Sequence, residues 1–266
     1  MFNYKFTYKF QEKDTRDYTH KTSYHPTNKI LEVTNITKKG LTDLKTTKVS
    51  PKKFTVSKLP AILDQGNFGT CVTNAFSFVV SKQTNNSIPL SRLFLYNICR
   101  SIDNTPLNQD DGTTIRTACQ SISKYGVCKE TVYPYISSNC YVLPTLTAFQ
   151  NSKRFMKFTY LFINQDLLSI KNSLVTYNSP IIFGILVYSS FMSSTNGMIS
   201  YPNTQTEDLL GGHCITIVGY DDSTQLFTCS NSWGTSWGLK GYFLLPYKYV
   251  LDPNLASDFC VTTFVY

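Results

Sequence analysis

A change of texture at Arg154 divides this chain of 266 residues into two kinds of pattern. Before it, apolar residues recur at helical spacing. Ala75, Phe76, Val79 and Val80 predict a buried helix over 71–83. Ser91 caps a second helix to about Ser101, with Leu93, Leu95, Tyr96 and Ile98 apolar. A third starts at Thr113 or Thr114 and runs to about Lys124, ended by Gly126. After Arg154, runs of Phe, Ile, Val and Tyr predict strands over 155–162, 180–188, 214–220, 226–230, 241–245 and 260–265, with one more helix over 166–177. Helices gathered before strands argue for an α+β fold rather than an alternating α/β one. No apolar run approaches the roughly 20 residues of a membrane-spanning helix.

Charge divides the chain at another place. The formal net charge is +8. Residues 1–58 hold 13 Lys/Arg against 5 Asp/Glu, whereas 59–266 hold 12 of each. Residues 1–50 therefore form a basic N-terminal extension. It is suited to an anionic partner such as nucleic acid, an acidic membrane face or an acidic patch on its own domain, or it simply keeps the chain soluble. Short strand-like pieces are expected at Tyr4–Phe10 and Ile30–Val33. The first residues, Met1-Phe2-Asn3-Tyr4-Lys5-Phe6, lack the apolar core of a secretory signal, so the expected setting is intracellular or inside a virion.

The chemistry centres on Asp64-Gln65-Gly66-Asn67-Phe68-Gly69-Thr70-Cys71, a turn that runs straight into the first helix. A cysteine at a helix N-terminus meets unpaired N–H groups and the positive end of the dipole, which favours the thiolate. Gly211-Gly212-His213 opens a strand, and a second strand ends at Asn231-Ser232-Trp233-Gly234. Folding the two as a hairpin about Asp221-Asp222-Ser223 puts His213 beside Ser230 and Asn231. Cys71, His213 and an orienting amide are then available together. His20 and His25 are the only other histidines and no C-x-x-C occurs, so neither a zinc site nor a cofactor is expected.

These motifs, in this order, resemble the papain-like cysteine peptidases over about residues 54–266. The spacing from Gln65 to Cys71, the Gly-Gly-His form at Gly212-His213 found in cathepsin B-like members, and Asn231-Ser232-Trp233-Gly234-Thr235-Ser236-Trp237-Gly238 carry the resemblance. Asp111-Gly112 with Tyr125-Gly126-Val127 and Tyr133-Pro134-Tyr135 adds a weaker match. The resemblance implies two lobes, helical over about 60–150 and barrel-like antiparallel β over about 151–266, with the site in the groove between them. Residues 51–266 would be the peptidase domain and 1–50 a short pro-segment. Cys71 is the implied nucleophile, His213 its ion-pair partner and proton donor, and Asn231 the residue that orients the imidazole under the cover of Trp233. Gln65 and the Cys71 N–H form the implied oxyanion hole. Gly112, with Gly69, Gly212 and Trp233, is expected to meet a polypeptide substrate, with the second subsite walled by residues 255–259.

The chain departs from the family at Val72, where Trp is usual, and at Phe68, where a disulfide cysteine is usual. It also lacks the paired histidines of the cathepsin B occluding loop, which makes endopeptidase activity, in a monomer, the expectation. Of the eight cysteines, most are expected to be buried thiols, with Cys214 and Cys229 facing one another across the hairpin, and Cys119, Cys128 and Cys140 near in sequence. Two rival readings remain open: a catalytically silent scaffold or virion component that binds through its basic arm, and amide hydrolysis or transglutamylation on the same Cys–His pair.

Overall fold

The computed structural model describes residues 4–12, 14, 50–85, 89–154, 158–194 and 196–264. The strand-like piece expected at Ile30–Val33 lies outside them. Its centre is α1 (Cys71–Gln83), whose first ten residues, Cys71 to Val80, are all buried. A helix buried on every face must satisfy its polar side chains internally. Thr73 and Asn74 bond back to the Thr70 carbonyl at 3.1 and 2.9 Å, and Ser77 donates to the Leu90 carbonyl at 3.1 Å. Around it pack α2 (Arg92–Ile102), capped by Ser91, and α3 (Ile115–Tyr125), capped by Thr114 and ended by Gly126 at φ 71°. The short helices α4 (Ser137–Cys140) and α5 (Leu146–Ser152) complete this side.

The second half forms an antiparallel sheet. Its order is β2 (Phe158–Phe162), β7 (Ala256–Phe264), β3 (Ile181–Tyr188), β4 (Leu209–Asp221), β5 (Leu226–Ser230) and β6 (Tyr242–Pro246), with β1 (Lys53–Thr55) pairing on β4. Helix α6 (Leu167–Tyr177) starts at Asp166, whose carboxylate accepts the Ser169 N–H. Two short helices, α7 (Ser189–Met192) and α8 (Tyr247–Leu251), sit at strand ends. One apolar cluster joins α1 to α3 with Ile182, Cys214 and Cys260 of the sheet; a second lies on the sheet's other face around Phe183, Trp233 and Phe243. The site lies where the first cluster meets β4.

Two expectations need correction. A bulge between Ile217 and Gly219 sets the hairpin so that Ser230 lies opposite Thr216, not His213. Strand β4 outruns β5, and His213 pairs instead with Ile185 of β3. The same register separates Cys214 from Cys229, which pairs with Ile217; the two thiols belong to the two different clusters. The eight cysteines are buried and joined by no disulfide among the described residues, and Cys119 and Cys260 bring their sulfurs to 3.9 Å between α3 and β7.

Candidate active site

The loop before α1 and the loop after β5 are stitched together. Gln65 N–H donates to the Ser232 carbonyl at 2.8 Å, and Gly234 N–H to the Leu63 carbonyl at 3.1 Å. The Gln65 side chain is held at both ends: its Nε2 donates to the Phe68 carbonyl at 2.9 Å and its Oε1 accepts from Ser232 Oγ at 2.6 Å. Thr70 sits at the N-cap of α1 but makes no side-chain cap; its hydroxyl pairs with Tyr135 instead. The first-turn N–H groups therefore keep their capacity to donate beside Cys71.

His213 is fully buried on β4. Its Nε2 lies 2.8 Å from Asn231 Oδ1, and that oxygen also accepts the Ser232 N–H at 2.8 Å. Because the backbone donor fixes which end of the amide is oxygen, Nε2 carries the proton and Nδ1 is the free nitrogen. Nδ1 is buried without a hydrogen-bond partner. Trp233 stacks on the imidazole at 4.8 Å and 24°. The Cys71 thiol meets the backbone of Cys214, one residue from His213. His213, Asn231 and Trp233 thus form one network, and Gln65 reaches it through Ser232. Cys71 stands beside it without a hydrogen bond to Nδ1.

What closes the site is the chain's own N-terminal arm, residues 4–12. It is extended, with one isolated parallel bridge at Thr7–Gly212 rather than the strand expected there. Tyr8 N–H donates to the Gly212 carbonyl at 2.9 Å and Lys9 N–H to the Thr113 carbonyl at 3.3 Å. Thr7 covers Gly69 and Gly112 so closely that a Cβ on Gly112 would fall 1.8 Å from the Thr7 carbonyl oxygen. Phe6 sets its ring edge-on to His213 at 6.1 Å, and Tyr4 stacks on Trp233 at 4.3 Å. Lys5 pairs with Asp110 at 2.7 Å. Every glycine expected to meet substrate is occupied by this arm.

The covering changes the electrostatics. Burial pushes the Cys71 thiol up to about 12 and the His213 imidazole down to about 4. Both shifts favour the neutral pair while the arm is in place. Burial opposes the thiolate expected from the helix N-terminus, against the local backbone hydrogen bonds that favour it.

Sequence reasoning missed three residues of this region. The Asp110 side chain is shielded and accepts from Gly69 N–H, Tyr96 Oη and Lys5 Nζ. Ser232 locks Gln65. Gly184 meets the ring of Tyr8. The arm did carry a signal: Tyr4, Phe6, Tyr8 and Phe10 alternate with period two, the mark of an extended segment with one apolar side.

Comparison with known proteins gives the class. The family model for papain family cysteine proteases matches residues 46–258, and the chain belongs to that family. It is 36% identical over 226 residues to the uncharacterized peptidase C1-like protein L477 of Acanthamoeba polyphaga mimivirus, covering 79% of this chain and 72% of that one. Cysteine proteinase 3 of Entamoeba histolytica is 26% identical over 189 residues, covering 68% of this chain and 58% of its own length. Xylellain, a cysteine protease from Xylella fastidiosa, is similar in structure with a TM-score of 0.82 at 27% identity, over 98% of this chain and 96% of xylellain. Procathepsin B S9 of Trypanosoma congolense shares the fold, with a TM-score of 0.66 at 19% identity over 85% and 80%.

Proposed function

We propose that this chain is a cysteine endopeptidase held latent by its N-terminal arm, with residues 1–50 as the pro-segment and 51–266 as the peptidase domain. The observation that carries the reading is the arm's backbone pairing with Gly212 and Thr113 across Cys71 and His213, where an extended peptide would have to lie. When the arm leaves, water reaches the pair, the desolvation cost falls and the proton can pass from Cys71 to His213 Nδ1. Cys71 Sγ then attacks the scissile carbonyl. The oxyanion is taken by the Cys71 N–H and Gln65 Nε2, a donor pair of which each member is worth roughly 3 kcal/mol in the transition state. His213 returns the proton to the leaving amine, and water releases the acyl group. Asn231 keeps the imidazole in the tautomer that leaves Nδ1 toward the thiol, and Trp233 shields that bond. Gly69, Gly112 and Gly212 give a substrate backbone the close approach now taken by Thr7 and Tyr8. The likeness to a mimivirus protein supports a viral setting, within an infected cell or packaged in a virion.

Incubation with an epoxysuccinyl inhibitor tests the reading. Intact mass should show one slowly formed adduct on the full chain, the same adduct formed faster on Tyr8→Ala, whose arm is loosened, and none on Cys71→Ala; Tyr8→Ala should cleave a denatured protein internally. No adduct on either the full chain or Tyr8→Ala, both folded, would return the field to the silent-scaffold reading.

A further inference from the structure

The arm does more than cover the site, because one of its side chains fills a pocket built around a half-buried carboxylate. Tyr8 is 4% exposed and packs in the cluster that contains Cys71, Ile182, Cys214 and Cys260. Its ring lies flat against Gly184, where a Cβ would fall 1.9 Å from Tyr8 Cε1. Its hydroxyl donates to Asp258 Oδ2 at the far end.

Asp258 is held in that position at a cost. It has φ of 60°, a left-handed conformation, on β7. An extra residue on that strand shifts the register between the Ile182–Cys260 and Gly184–Ser257 pairs. Bulges of this kind re-aim a side chain, and backbone strain of this kind gathers where a side chain has a task. Ser257 Oγ donates to the same Oδ2 at 2.8 Å. The Gln11 backbone N–H, also from the arm, supports the carboxylate as well. Once the arm departs, Asp258 loses two donors and keeps Ser257. Burial also drives its carboxyl upward from its ordinary value, so the pocket resists a bare charge and rewards a donor that arrives with an apolar ring.

Thr7 covers Gly69 beside the nucleophile, and Tyr8 is the next residue along, which makes this pocket one step removed from the reacting position. From this geometry we infer that the pocket walled by Gly184 and floored by Asp258 selects a tyrosine side chain at the second position of peptide substrates. The inference rests on the peptidase reading above. A site that hydrogen-bonds a substrate hydroxyl discriminates against the analogue that lacks it, because the partly buried acceptor is then left with Ser257 as its remaining side-chain donor. The arm and the substrate would thus compete through the same side chain.

The test uses the full chain and four peptidyl epoxides that differ only in carrying Tyr, Phe, Arg or Leu at the second position. The rate of Cys71 modification is followed by intact mass. Arm closure lowers all four rates by one common factor, so their ratios report the pocket alone. The Tyr probe should react roughly tenfold faster than the Phe probe. That ratio should fall to about one in Asp258→Ala and in Asp258→Leu, whose folding is checked by circular dichroism. The wild-type ratios decide the matter even where both variants fail to fold. Equal rates for Tyr and Phe, or a preference for Leu or Arg, would overturn the inference and leave the peptidase reading standing. Failure of all four probes on both the full chain and Tyr8→Ala, with Cys71 still alkylated by iodoacetamide, would overturn the peptidase reading and this inference with it.

Discussion

The hydroxyl of Ser232 donates to Oε1 of Gln65 at 2.6 Å, joining two motifs that lie 167 positions apart. With Oε1 held there and Nε2 on the Phe68 carbonyl, the amide of Gln65 cannot turn over. Its second Nε2 hydrogen therefore has a fixed direction. Gln65→Ala should lower kcat by roughly 100-fold with little change in KM, since an oxyanion donor acts mainly in the transition state. Ser232→Ala should lower kcat by about tenfold, because the amide is then held at one end only. Steady-state kinetics on one peptide substrate checks both; a rise in KM alone would assign Gln65 to substrate binding.

The arm variants should separate packing from charge. Tyr8→Ala removes a buried aromatic ring, a change worth about 3 kcal/mol or more in a core. Cys71 in that variant should take an epoxysuccinyl label roughly 100-fold faster. Lys5→Ala should matter much less, under about tenfold. Lys5 is 44% exposed, and water screens its pair with Asp110 even though the carboxylate is buried. Unchanged labelling in Tyr8→Ala would mean that the arm does not gate access.

Acid should loosen the covered state through His213. Burial lowers its imidazole from 6.5 to about 4, so the covered protein binds fewer protons than the open or unfolded one. The stability tied to this group is whole above pH 6.5 and is lost as pH falls toward 4. The loss amounts to about 3 kcal/mol. Asp258 works the other way: its carboxyl is raised, so its contribution is present at low pH and is lost as pH rises. Urea unfolding of wild type and His213→Gln at pH 7 and 4.5 isolates the histidine, and wild type should lose more between the two.

The cysteines should behave as eight separate thiols. Under denaturing conditions without reductant, a thiol reagent should count all eight. In the native chain they should react slowly, because each is buried. Added reductant should leave the melting temperature unchanged. Fewer than eight reactive thiols in denaturant would reveal a bridge, for which Cys119 and Cys260, with sulfurs 3.9 Å apart, are a candidate pair.

How much of this was legible depended on the range of the signal. Caps and periodicity are local: Ser91 and Gly126 marked helix ends correctly, Thr114 proved to be the cap of the two threonines offered, and the helix expected over 166–177 starts one residue later, with Asp166 as its cap. Strand β5 began and ended where its pattern does, and β4 and β7 extended beyond theirs. Register was not legible, because the bulge at Ile217–Gly219 has no local mark. That bulge moved Cys214 away from Cys229. The contact between His213 and Asn231 did form, though by side-chain reach rather than by strand pairing. The protonation state of Cys71 was hidden for a different reason: it depends on what covers the helix terminus, and the covering residues lie more than 60 positions upstream. Alternation of Tyr4, Phe6, Tyr8 and Phe10 showed an extended segment with an apolar side, but not the groove that receives it.

The chain has two tryptophans, and both sit at the end of the cleft where the arm begins. Trp233 lies 4.9 Å from Trp237, edge to face, with Tyr4 stacked on its outer side. When the arm lifts, that stack opens and water reaches an indole that is now fully enclosed. The protein's ultraviolet emission should then move to longer wavelength. Activation would be visible in real time, with no label, as a change of colour in the molecule's own light.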